Sequence, residues 1–201
     1  MSELAYFGVA HDGDVIMTIL ARGFKASGSL KANTIVATVM SNLGFLHAMK
    51  DAGITVETTA VGDRYVLEKM IEKGFSLGGE QSGHLIMRDF ATTGDGTLTA
   101  LALAQEVVKS GKTLQELASA MVRFPQVLVN VKNVAKDKLD RSAPIKAAVA
   151  AAEAKLGEHG RILLRASGTE PLVRVMVEAQ SDNLANEIAN DLAKVVEAEL
   201  G

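Results

Sequence analysis

Thr34-Ile-Val-Ala-Thr-Val-Met40 is followed by Ser41-Asn42, by Leu43, Leu46 and Met49 at helical spacing, by Gly53, and by a second apolar run from Ile54 to Ala60. The first run is short, uncharged and rich in β-branched residues, as in a strand buried on both faces. Ser41 or Asn42 can cap a helix, because a short polar side chain accepts the N–H bonds that a first turn cannot make internally. Gly53 supplies the left-handed residue that ends such a helix. Strand, helix, strand in this order predict an α/β layer with a parallel sheet. The pattern extends both ways. Ile16, Leu20 and Phe24 recur every four positions and predict a helix over 14–25. Gly62-Asp-Arg64 leads into a helix over 65–73 that Gly74 closes.

Residues 76–88 read differently, as two apolar strands around the polar loop Gly78-Gly-Glu-Gln-Ser-Gly83. Thr93-Gly-Asp-Gly96 opens a helix over 97–110 that ends at Gly111, and Thr113 with Glu116 forms a capping box for one more helix, to 122. Pro125 breaks the chain. Val127, Val129 and Val131 alternate as a half-buried strand, Ser142-Ala-Pro144 starts an Ala-rich helix that stops at Gly157, and Arg161–Leu164 and Val173–Val177 are strands around a polar loop. Asp182 begins a final helix with Leu184, Ile188, Leu192, Val195 and Val196 on its inner face. The expected organisation is an α/β domain over residues 1–120 and a small α+β domain over 121–201, divided near 118–124.

Composition narrows the function. The 201 residues are 48% hydrophobic and 22% charged, as in a globular chain rather than a disordered one. Lys+Arg 21 against Asp+Glu 24 leaves a net charge of -3, so there is no basic excess for a nucleic-acid backbone. With no cysteine there is no disulfide, thiolate metal site or cysteine nucleophile. The N-terminus lacks a signal-peptide pattern and no apolar run reaches the ~20 residues that span a bilayer, so a soluble, cytoplasmic protein without nucleic-acid or membrane partners is expected.

Four constellations can carry chemistry. In Gly78-Gly-Glu-Gln-Ser-Gly-His84, Glu80 and Ser82 lie two apart, so an extended loop would aim both the same way, a carboxylate and a hydroxyl suited to vicinal sugar hydroxyls. The same stretch also suits a plain polar hairpin turn. In Arg165-Ala-Ser-Gly-Thr-Glu-Pro171, with Arg174 beyond, guanidinium, hydroxyls and the Gly168 backbone offer the several donors that a phosphate requires, against the simpler reading of a turn between strands. Asp63 and Arg64 follow the second strand, where open α/β sheets bind ligands, or else form a helix-capping pair. Asp12 and Asp14 could hold Mg²⁺ through oxygen ligands, although Asp-Gly-Asp is also common in turns. The four histidines form no zinc motif, and no Gly-x-Ser-x-Gly elbow is present.

Taken together, Gly-Gly-Glu-Gln-Ser-Gly-His, Thr-Gly-Asp-Gly, Thr-Ala-Val-Gly-Asp-Arg-Tyr-Val and Arg-x-Ser-Gly-Thr-Glu-Pro-x-x-Arg-Val-Met-Val-Glu resemble the α-D-phosphohexomutases, most closely the bacterial branch that acts on glucosamine phosphate, to which Ala37-Thr-Val-Met-Ser-Asn-Leu-Gly44 is also similar. The resemblance runs from residue 8 to the end. It implies the third and fourth of four family domains: a three-layer α/β domain with a mixed sheet, truncated at its start, then the small α+β domain. It implies that Glu80 and Ser82, with Gly83 and His84, grip sugar hydroxyls, that Asp63 and Arg64 line the same cleft, and that Arg165, Ser167, Gly168, Thr169 and Arg174 hold the non-reacting phosphate of a phosphorylated hexosamine.

The family's phosphoserine loop has no counterpart here, and Gly8-Val-Ala-His-Asp-Gly-Asp14 resembles only the start of its Mg²⁺ loop, without that loop's third Asp and its Arg; Asp12-Gly-Asp-Val-Ile-Met17 instead resembles a second Asp-Gly-Asp that family members carry further on. The expectation is therefore binding without turnover, since positioning without a nucleophile moves no phosphate. Three forms are open: an incomplete mutase portion, one chain of a split enzyme completed by an N-terminal half, or a regulatory module on the same scaffold. Self-association is a further way to cover a truncated sheet edge.

Overall fold

The computed structural model describes residues 4–6 and 9–201; Gly8, where the stretch similar to the metal loop begins, lies outside the described residues. The chain divides into two compact units, Met1–Arg123 and Phe124–Gly201.

In the first unit a short antiparallel ribbon, β1 (Leu4–Tyr6) with β2 (Val9–His11), precedes α1 (Gly13–Ala26). Asp12 caps α1 by accepting the Val15 N–H at 3.2 Å. The main sheet holds β3 (Thr34–Thr38), β4 (Thr55–Thr59), β5 (Leu77–Gly79) and β6 (Leu85–Met87) in the order β4-β3-β5-β6. β3 is parallel to β4 and β5, while β6 returns antiparallel to β5. The sheet is therefore mixed, because Gly79 to Leu85 is a hairpin too short for a crossover.

Every residue of β3 is buried, as its apolar run requires. Its alternating side chains feed two cores. Ile35 and Ala37 join Ile16, Leu20, Phe45 and Met49 from α1 and α2 (Leu43–Asp51), while Val36 on the other face joins Val66 and Met70 from α3 (Asp63–Lys73) with Phe75 and Ile86. α4 (Gly96–Ser110) and α5 (Leu114–Ala118) lie on the α1 side through Leu103, Leu114 and Ala118. These are the three layers expected. Asn42 caps α2, and left-handed Gly74 and Gly111 end α3 and α4. The Thr113–Glu116 capping box is present, but α5 stops at Ala118 rather than 122. Beyond it the chain turns to bury Met121 in the core.

The second unit is a three-stranded antiparallel sheet, β7 (Gln126–Lys132), β8 (Arg161–Ala166) and β9 (Leu172–Glu178), in the order β7-β9-β8. α6 (Ala143–Leu156) starts from a Ser142 cap with Pro144 in its first turn, where the missing N–H of proline costs nothing. α6 and α7 (Asp182–Leu200) cover one face. Val173, Val175 and Val177 of the central strand pack with Ile145, Ile188, Leu192 and Val196. Leu184 and Val195 of the expected inner face are only half-buried, and Ala185, Ala189 and Leu200 complete it. Among the described residues, no helix is long and apolar enough to cross a membrane.

Candidate functional site

The β5–β6 hairpin carries Glu80 and Ser82 through a turn, not an extended strand. The Gly83 N–H donates to the Glu80 carbonyl and the Glu80 N–H to the His84 carbonyl, each at 2.9 Å. Gly83 sits at φ +95°, a conformation that side chains resist, which is why a glycine ends the turn. Two other segments hold this turn from outside. The Gly13 N–H donates to the Gln81 carbonyl at 2.9 Å, and the Gly62 N–H donates to Glu80 Oε1 at 2.9 Å. Ser82 Oγ and His84 Nδ1 share a hydrogen bond of 3.2 Å at the surface.

Glu80, Gln81 and Ser82 open onto a cleft of about 390 Å³ lined further by Asp12, Thr38, Met40, Val61 and Arg123. Thr38 ends β3 and Met40 follows it, so the cleft lies at the carboxyl edge of the parallel strands, where such sheets leave room for ligands.

Asp63 and Arg64 do not line this cleft. Asp63 opens α3 and accepts the Arg64 N–H at 2.7 Å, and the Arg64 guanidinium turns along the helix to Glu68 at 2.7 Å. That hydrogen bond and charge raise the guanidinium pKa above its ordinary value. What this segment brings to the cleft is Val61 and the Gly62 amide.

Asp12 and Asp14 do not act as a pair either. Asp12 Oδ1 takes the first-turn N–H of Val15 and Oδ2 pairs with Arg123 at 3.0 Å. Asp14 is fully buried, and its Oδ2 accepts the Asn42 N–H at 2.8 Å. Asp12 is the N-cap, outside the helix, and Asp14 lies in its first turn, so the two carboxylates are taken by different partners. Among the described residues no group of three His, Asp or Glu side chains is placed to hold a metal. The residues present do not fit the Mg²⁺ site that the resemblance implies.

In the second unit the residues from Arg165 to Arg174 form a compact anionic-ligand candidate. β-pairing places Arg165 directly opposite Arg174, and Arg174 opposite Asn130 on its other side. All three alternate with the valines under α6 and α7, so they share the sheet face that those helices leave open. Like charges directly opposite each other repel, and a bound anion relieves that cost.

The connecting loop is rigidly built. The Ser167 N–H donates to the Leu172 carbonyl at 2.9 Å, and its buried hydroxyl accepts the Glu170 N–H at 3.3 Å. The Lys136 ammonium donates to the Ser167 carbonyl and to that of Glu170 at 3.0 Å. Gly168 and Thr169 are exposed at the tip. Glu170 Oε2 lies 3.9 Å from Arg174 Nη2, a long, solvent-exposed pair.

Both units have counterparts among known proteins. Residues 12–124 match the phosphoglucomutase/phosphomannomutase alpha/beta/alpha domain III, and residues 128–195 match the C-terminal domain of the same group. The chain belongs to the phosphoglucomutase/phosphomannomutase family. It is 60% identical over 189 residues to the phosphoglucosamine mutase of Frankia alni and 57% identical over 190 residues to that of Paenarthrobacter aurescens, in each case over 94% of this chain and 42% of the relative. The chain thus spans less than half the length of these relatives. Among solved structures, the Aspergillus fumigatus N-acetylphosphoglucosamine mutase, crystallised with GlcNAc-6P and magnesium, superimposes with a TM-score of 0.78 at 21% identity, over 94% of this chain and 44% of that one. A Burkholderia thailandensis member of the family gives 0.74 at 21% identity, over 95% and 42%. These likenesses bear out the α/β layer followed by an antiparallel α+β unit.

Three residues of these sites escape sequence reasoning. Arg123 and Lys136 lie outside every motif, Gly13 lies inside Asp12-Gly-Asp14 but was not itself a candidate, and each acts on a segment distant in sequence.

Proposed function

We propose that this chain is the phosphosugar-gripping part of a phosphoglucosamine mutase and binds a phosphorylated hexosamine. The observation that carries the reading is the direct opposition of Arg165 and Arg174 beside the rigid 167–170 loop, two cations that an anion would reconcile. Its division of labour follows from chemistry. The two guanidinium groups donate to phosphate oxygens, with Thr169 and the Gly168 amide at the exposed tip completing the set and Ser167 shaping the loop. Glu80 accepts from sugar hydroxyls, with Ser82, Gly83 and His84 fixing the turn that presents it. Asp63 and Arg64 act indirectly, by starting the helix that sets the Gly62 amide on Glu80. The hexosamine class is supported by the names of relatives at 57–60% identity.

The chain's own residues bind and orient. Moving a phosphoryl group from O6 to O1 also needs a group that accepts it, and the family's serine loop has no counterpart in this sequence. Turnover therefore calls for residues carried by the rest of a full-length relative, so the 201 residues bind without catalysing.

Calorimetric titration of glucosamine 6-phosphate, with glucosamine and inorganic phosphate as controls, tests the reading. Tighter binding of the phosphosugar than of either control is expected, and binding no tighter than both controls refutes it. Mutase turnover by the purified chain would overturn the binding-only part.

A further inference from the structure

We propose that Arg123 is the resident cation of the cleft beside Glu80 and Ser82, and that its guanidinium makes a divalent metal at Asp12 unnecessary. The cleft is lined by two carboxylates, Asp12 and Glu80, and Arg123 is the one basic side chain among the described residues that line it. One oxygen of Asp12 is held by the start of α1, and the other, buried and without a hydrogen bond among the described residues, lies 3.0 Å from the Arg123 guanidinium. A metal at Asp12 would have to displace a guanidinium already in place. Asp14, the natural second ligand, is fully buried and turned to the Asn42 amide.

Arg123 is also held where it stands. The Thr18 hydroxyl lies 3.7 Å from Met121 Sδ, which is buried in the core. Gly44 lets the Val122 carbonyl approach so closely that any Cβ at position 44 would collide with it. The two residues before Arg123 are therefore packed in place, Met121 by its buried side chain and Val122 by its passage close to Gly44. The Arg123 side chain stays 58% exposed, lining a cleft where a ligand can reach it. An arginine so placed differs from a metal in one testable way: its charge cannot be removed by chelation, and it has no vacant site for Mg²⁺ to fill.

The test is thermal unfolding of the full chain in Mg²⁺ and in EDTA, for wild type, Arg123→Gln, Asp12→Asn and the double variant. Asn caps helices as well as Asp does, so Asp12→Asn removes the charge and keeps the cap. Wild type is expected to melt identically in both buffers. Each single variant should shift the folding equilibrium about two- to five-fold toward the unfolded state, the range of partly exposed ion pairs, and the double variant should lose no more than the worse single one. Stabilisation of wild type by Mg²⁺ that Asp12→Asn abolishes overturns the proposal, and so does a double variant whose loss is the sum of the singles.

One further arm rests on the phosphosugar reading. Glucosamine 6-phosphate should bind wild type equally in Mg²⁺ and EDTA. Binding in neither buffer would strike that reading and leave the melting data to judge this one, whereas binding in Mg²⁺ alone would overturn this one.

Discussion

Gly13→Ala is the sharpest probe of how the 80–83 turn is built. A Cβ on residue 13 would overlap the Glu80 carbonyl oxygen and sit 2.8 Å from the Gly83 nitrogen and 2.9 Å from the Gln81 oxygen. All three are backbone atoms, so no side-chain rotation relieves the clash. Relaxed carbon–oxygen contacts lie at about 3.3–3.6 Å, so the Glu80 carbonyl must retreat by more than about 1 Å. A retreat of that size breaks the 2.9 Å bond from Gly13 to Gln81 and displaces the backbone that carries the Glu80 carboxylate, the acceptor of the Gly62 N–H. Overpacking of this kind costs about 1–3 kcal/mol, and alanine returns up to about 1 kcal/mol of helix propensity. A net loss of about 1–2 kcal/mol lowers the melting midpoint by about 2–8 °C in a chain of this size. Binding of glucosamine 6-phosphate should weaken about tenfold, because misplacing Glu80 forfeits one hydrogen bond to a charged group. Gly168→Ala is the control: a Cβ there meets nothing within 4 Å, so its midpoint should move by less than about 1 °C. If Gly13→Ala melts no lower than Gly168→Ala and binds like wild type, the turn is not held as described.

Arg174→Met removes one of two opposed charges. Thermal unfolding should show a midpoint equal to or above that of wild type, while affinity for inorganic phosphate falls about tenfold or more; a fall in stability with unchanged affinity would reverse the assignment. Lys136→Met takes away the ammonium that gathers the 167–170 carbonyls, so hydrogen exchange in that loop should accelerate about tenfold while the β7–β9 core stays protected. The Thr113 amide and hydroxyl hold the Glu116 carboxyl below its ordinary value. The capping box therefore contributes stability above the ordinary glutamate range and loses it as the pH falls through the lowered folded value. An NMR titration should find Glu116 shifted down in wild type and restored toward normal in Thr113→Ala.

Local patterns carried much of the fold. The uncharged β-branched run at Thr34–Thr38 and the Ser142–Pro144 start of α6 have one sensible reading each, because burial on both faces and a proline in a first turn are both decided within a few residues. The ribbon of β1 and β2 was not legible, since three-residue strands hold no period. α5 was overdrawn because nothing local reveals that Met121 must turn inward. The candidate sites divide in the same way. Glu80 and Ser82 do share a cleft, but a turn held by two remote amides brings them together rather than the two-residue alternation of an extended chain. Arg165 and Arg174 stand nine positions apart, and only the β8–β9 register puts them face to face. Asp12 and Asp14 stand two apart in sequence, but the start of α1 separates their surroundings: one side chain caps the helix and the other is buried in its first turn against the Asn42 N–H.

The two candidate loops share a device that motif reading passes over. Each recognisable motif supplies the groups that would touch a ligand, and each is immobilised by a residue outside it: Gly13 and Gly62 hold the 80–83 turn, and Lys136 holds the 167–170 loop. A loop ordered before the ligand arrives does not lose conformational freedom at binding, and that saving reaches about 0.5–1.5 kcal/mol for each side chain already fixed. The motifs then determine which chemical group is recognised, and the buttresses determine how tightly. A chain with the 78–84 and 165–171 stretches intact but without Gly13 or Lys136 should keep its preference for phosphosugar over sugar while its affinity for both declines. Loss at Glu80 or Arg174 should change the preference itself. This separation is what an interaction built on preorganised loops requires, and a ligand-induced loop would not show it.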